Sequence, residues 1–210
     1  MNNPSSILLG GSSLVAFSSD TSAEEKADIL DCLAYSEIRA NARHSRKKYW
    51  AQWIDHFQFQ FYKNGFEIID ALPGERFVLT DPRDLCSVVG DAVATSENTK
   101  LEQLARSALN ELIRKDGKIF FRDWFSKERS EHVQIVPCRK EGDGRVELLF
   151  CGLEMNISTT ESSWFQGSRS KVSVTIAGGS YRYGAKAYAP HRQKVASFLD
   201  QHAYAAFQSL

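Results

Sequence analysis

No surplus of charge of either sign marks this sequence: 26 Lys and Arg stand against 26 Asp and Glu over 210 residues. A chain so balanced has no whole-molecule field to draw it onto nucleic acid or an anionic membrane, and any such partner must be met by a local patch. The locally readable catalytic motifs are missing too, with no GxSxG, no HExxH, no P-loop and no GxGxxG between a strand and a helix. On the catalytic side that leaves only an enzyme with a dispersed site. Cysteine is sparse: Cys32, Cys86, Cys138 and Cys151 form no CxxC and no Cys/His zinc spacing, so no metal and no cofactor is expected. All four read as buried thiols in a reduced, cytoplasmic setting. Residues 1–19 hold no charged side chain, yet no Lys or Arg precedes their apolar part, and Pro4, Gly10, Gly11 and six serines interrupt it. That fits neither a signal peptide nor an anchor; residues 1–21 read as a small hairpin or a mobile arm.

What is present is an ordinary globular balance, 42% apolar and 25% charged, sufficient to bury the core of one domain spanning 1–210. Ser22-Ala23-Glu24-Glu25 has the form of a capping box, with Ala23, Ala27, Leu30, Ala34 and Ile38 at helical spacing, and predicts a helix over 22–42. Trp50, Ile54, Phe57 and Phe61 make a second stripe that stops at Asn64-Gly65. Segments 66–72 and 76–80 around Pro73-Gly74 read as a hairpin, Asp81-Pro82 as the start of a short helix to about 93, and 101–113, closed by Gly117, as an amphipathic helix. Beyond 118 the pattern turns to strands over 132–139 and 145–157, then 171–177 and 181–188 around Gly178-Gly179, and Pro190 opens a closing helix. The expected class is α+β: 22–117 mainly helical, 118–188 mainly strands in an antiparallel sheet of four or more, and 190–210 helix. If the 145–157 hairpin turns at Gly142-Asp143-Gly144, paired residue numbers sum to about 286, whereas Cys138 and Cys151 sum to 289, too offset for a disulfide.

Charge alternates along the chain, with net −4 over 1–35, +4 over 36–64, −5 over 65–164 and +5 over 165–210. The first basic block, Arg43, Arg46, Lys47 and Lys48, runs into Trp50 and Trp53, a combination suited to phosphate contact with base stacking or to an anionic membrane surface. Its bland alternative is a helix junction beside core aromatics. In the second block, segment 169–194, Arg182, Lys186 and Tyr188 are expected on one strand face, and Trp164 in a loop is a binding-anchor candidate. Asp55-His56 point about 100° apart on a helix, and His191 and His202 lie about 16 Å apart on another, so neither pair makes a catalytic or metal couple. The leading expectation is a non-enzymatic binding protein working through protein contacts, as an adaptor, inhibitor, immunity or assembly factor whose partner is another protein or a second copy. Nucleic-acid binding through 43–53 and 169–194 is the alternative. A membrane-active toxin using an amphipathic hairpin over 171–188, and a dispersed-site enzyme, complete the set.

Overall fold

Val15 and Phe17 leave their strand on one side and Leu14 and Ala16 on the other, and each pair is buried in its own core. A strand dry on both faces must lie inside a sheet covered on both sides. The computed structural model, which describes residues 6–10, 13–79, 84–94, 101–111, 114, 131–158, 171–204 and 206–209, shows that sheet. Its strands are β1 (Ser6–Gly10), β2 (Ser13–Phe17), β3 (Glu67–Leu79), β4 (Glu131–Lys140), β5 (Val146–Ser158), β6 (Lys171–Tyr183) and β7 (Gln208–Ser209), in the order β3-β6-β5-β4-β2-β1-β7. Every neighbouring pair is antiparallel except β2 with β4. The class is α+β, helices preceding the main strands and one helix closing the chain.

Helices α1 (Ala23–Arg43), α2 (Trp50–Lys63) and α5 (Ala185–Leu199) cover one face of the sheet; α3 (Asp84–Ala94) and α4 (101–111) cover the other. The Ser22 capping box forms as predicted, with the Glu25 amide donating to Ser22 Oγ at 3.3 Å and the Ser22 amide to Glu25 Oε2 at 2.8 Å. Glu25 also receives the Lys140 ammonium from β4 at 2.8 Å, which ties the start of α1 to the sheet. Gly65, at φ +85°, ends α2 in the left-handed region, and a Cβ there would lie 2.5 Å from the Ala187 carbonyl of α5.

The β4–β5 register runs Lys140↔Val146 through Glu131↔Met155, the predicted sum of 286, and Cys138 and Cys151 sit in opposite cores as free thiols. Of the two alternatives for the N-terminal arm, the hairpin forms: β1 and β2 pair antiparallel, joined to the sheet through β4.

Three expectations are corrected. Pro73-Gly74 does not turn a hairpin: β3 is one strand along β6, with an irregularity between Leu72 and Glu75 that absorbs one extra residue. Gly178-Gly179 is not a turn either, since β6 runs through it between β3 and β5; a Cβ on Gly178 would fall 1.8 Å from the Phe150 carbonyl, so only glycine fits that approach. The closing helix therefore begins at Ala185, encloses Pro190 and stops at Leu199, short of His202. Gly178-Gly179 and Pro190 are strong local punctuators, overridden here by the tertiary fit. The helix start at Asp81-Pro82, residues 112–113 and 115–117 at the end of α4 and the side chain of Cys86 lie outside the described residues.

Candidate functional site

The basic run at the α1–α2 junction is split three ways by the fold. Arg46 turns inward, its guanidinium 4.1 Å from the Trp53 ring centre and 3.2 Å from Glu37 Oε1. Trp53 is fully buried, donating from Nε1 to Asn41 Oδ1 at 2.8 Å. Both are structural.

Arg43 faces outward on one flank of α2, where the fold gathers Arg39, His44, His56, Phe59, Tyr62 and Lys63. The His44 and His56 rings meet edge to face at 5.9 Å, His56 lies 6.2 Å from Phe59, and the Lys63 ammonium sits 5.0 Å above the Phe59 ring. Tyr62 is 61% and Phe59 45% exposed. Burial lowers the His56 pKa, and the charges that lower it further, from His44, Arg39, Arg43 and Lys63, are all positive. Among the described residues, Arg39, Arg43 and Lys63 have no acidic partner. The result is a cationic corner with an exposed aromatic centre. Phe59 was legible as the aromatic that falls off the 50/54/57/61 stripe; Arg39 and Lys63 carried no local signal.

Lys47, Lys48 and Tyr49 turn to the other flank, toward the sheet. There α2 and β3 enclose an open cleft of about 560 Å³ floored by β5 and β6. Lys48, Tyr49 and Trp50 close one end, Gln52, Asp55 and Gln58 line the helical wall, and Glu154, Thr175, Ala177 and Gly178 form part of the floor. Trp50 is largely buried and stacks on His132, ring centres 6.1 Å apart. His132 Nε2 lies 3.6 Å from Glu154 Oε1. Burial, then the charges of Arg46 and Lys47, pushes the His132 pKa down to about 4, leaving the imidazole neutral at pH 7; burial raises the Glu154 carboxyl against an Asn156 hydrogen bond and Arg76.

The second basic block is also divided. Arg182 lines a cleft of about 420 Å³ with Arg145 and Lys186, but Arg182 is held by Glu147 at 2.8 Å and Glu67 at 3.6 Å, and Arg145 by Glu67 and Asp143, each at 3.3 Å. Lys186 lies on α5, and Tyr188 is buried on that helix, so the expected strand face of Arg182, Lys186 and Tyr188 is not formed. Arg192 instead chelates Asp28 of α1, at 2.8 Å through Nε and 2.6 Å through its terminal nitrogen, with the Tyr183 hydroxyl donating to the same carboxylate. The amphipathic hairpin of the toxin reading falls with the same correction. No helix among the described residues is long and apolar enough to cross a membrane. No described group of His, Cys, Asp and Glu could hold a metal ion. Trp164 lies outside the described residues.

No family model matches the chain, and no curated protein matches it. Among solved structures it is similar to the Evf virulence factor, at 12% identity and a TM-score of 0.43 over 92% of this chain and 82% of that one. A delta-endotoxin matches at 12% identity and the same TM-score, over 82% of this chain and 83% of its own. Likenesses this distant bear on neither the site nor the activity.

Proposed function

We propose that the protein is a recognition factor that binds an acidic protein surface through the α1–α2 corner. One observation carries this reading: the corner's cations lack acidic partners among the described residues, and beside them stand two exposed aromatics of α2, Phe59, under the Lys63 ammonium, and Tyr62. Protein interfaces place aromatic anchors at the centre and charge at the rim, and Tyr and Arg dominate their binding energy. A protein surface that binds duplex nucleic acid is more polar and more positively charged than one that binds protein. These cations, with no acidic partner among the described residues, supply attraction and orientation, and the rings supply the buried area. A cytoplasmic site of action fits the reduced thiols and belongs to the same proposal.

The test is an amide-shift titration of the full chain with a glutamate-rich peptide and, separately, a single-stranded oligonucleotide. Binding of the peptide, weakened by Arg39→Glu with Arg43→Glu and also by Tyr62→Ala, supports the reading. Oligonucleotide binding in preference, with a steep salt slope, would replace it with nucleic-acid recognition.

A further inference from the structure

On the face that carries α1, α2 and α5, side chains change character partway along β5 and β6. Leu148, Phe150, Tyr181 and Tyr183 are apolar or aromatic and buried, whereas Gly152, Glu154, Asn156, Ser173, Thr175 and Ala177 are small or polar. The cleft lies over that second half, and its floor is low because Ala177 and Gly178 leave space beneath α2. Most of the polar groups around it are uncommitted, Glu154 being the exception through its Asn156 hydrogen bond and its 3.6 Å approach to His132 Nε2. Among the described residues Lys48, Gln52, Asp55 and Thr175 spend no side-chain hydrogen bond on the protein, and Gln58 uses only its carbonyl oxygen, accepting from the Tyr181 hydroxyl at 2.6 Å. The cleft beside Arg182 is the reverse case, its two arginines already neutralised by Glu67, Asp143 and Glu147.

From this geometry we infer that the α2–β3 cleft is a binding site for a neutral sugar. Tyr49, 53% exposed at its mouth, and the accessible edge of Trp50 give the apolar ring face something to stack on. Asp55 and Glu154 accept from vicinal hydroxyls, Gln52 and Gln58 donate amide hydrogens, and Thr175 does both. Asp55 and Glu154 are balanced by Lys48 at the mouth and Arg76 near Glu154, so a formally charged ligand gains little there. The volume of about 560 Å³ falls within the range of small-ligand pockets and accommodates one or two sugar rings. The site is separate from the cationic corner, and either can stand without the other.

Saturation-transfer and amide-shift titrations of the full chain test it, using glucose, galactose, mannose, N-acetylglucosamine and their β-linked disaccharides. Tetramethylammonium serves as the cationic control and inorganic phosphate as the anionic one. One of the sugars should bind with Kd on the order of 1 mM or tighter and shift amides over 49–58 and 174–178. Tyr49→Ala and Asp55→Ala, both at exposed positions, should each weaken binding about tenfold, the scale of one lost contact, with thermal unfolding unchanged. The inference is overturned if no sugar binds below roughly 50 mM, if binding survives both substitutions, or if tetramethylammonium or phosphate binds in preference.

Discussion

The two faces of the sheet are built from different chemistry. Among the described residues, the core under α3 and α4 contains buried Leu, Val, Ile, Ala, Cys and Met and no fully buried aromatic, whereas the core under α1, α2 and α5 contains Phe17, Trp53, Phe57, Phe61, Phe66, Phe150 and four buried tyrosines. Phe57 stacks on Phe150 with ring centres 4.4 Å apart and Phe61 on Tyr181 at 5.1 Å. Aliphatic side chains fill space and offer nothing else. Aromatic and tyrosyl side chains bring polar edges with them, and this face also carries the Asp28–Arg192–Tyr183 tie, the Glu25–Lys140 pair and both candidate surfaces. The aliphatic core backs the sheet, and both surfaces proposed for binding lie on the aromatic side.

Truncation breaks that contrast most sharply. Phe57→Ala should cost ~3–5 kcal/mol in chemical denaturation, since it removes a ring packed against Trp53, Phe61 and Phe150. Leu149→Met on the aliphatic face should cost less than ~1.5 kcal/mol. A pH titration of stability sharpens it next. His132 is held near pKa 4 in the folded chain against 6.5 ordinarily, so the unfolded chain takes up its proton first. Stability is therefore complete above about pH 6.5 and falls toward pH 4, by up to ~3 kcal/mol from this residue alone. Glu154, raised in the fold, opposes the trend; the difference profile between the wild type and His132→Gln isolates the histidine, and the variant should show the flatter slope.

Asp28→Ala should cost ~2 kcal/mol, because the buried Tyr183 hydroxyl loses its acceptor. Ser22→Ala, which removes the α1 cap, should cost ~1 kcal/mol in the same denaturation assay. Tyr62→Ala should change stability by less than ~0.5 kcal/mol, being a surface position, while weakening the binding proposed for the corner.

Much of the frame was legible because it rests on local rules: the α1 capping box, the α2 apolar stripe, and the β4–β5 register fixed by the Gly142-Asp143-Gly144 turn. Where the reading failed, tertiary packing outvoted local punctuation. Gly178 serves close approach to the Phe150 backbone, Pro73-Gly74 marks an irregularity in an edge strand, and Pro190 sits inside a helix. The candidate surfaces were half legible. The sequence located the basic and aromatic residues of the α1–α2 junction, but which of them are spent internally depended on distant partners such as Glu37 for Arg46 and Asn41 for Trp53. Arg39, His56 and Lys63 join Arg43 only when α1 packs on α2.

The most direct test of recognition through the corner is the amide-shift map obtained with the glutamate-rich peptide at about 50 and about 200 mM salt. Shifts confined to Arg39, Arg43, His44, His56, Phe59, Tyr62 and Lys63, smaller at the higher salt, are the predicted result. Shifts centred on Arg145, Arg182 and Lys186, or no shifts at all, would contradict it.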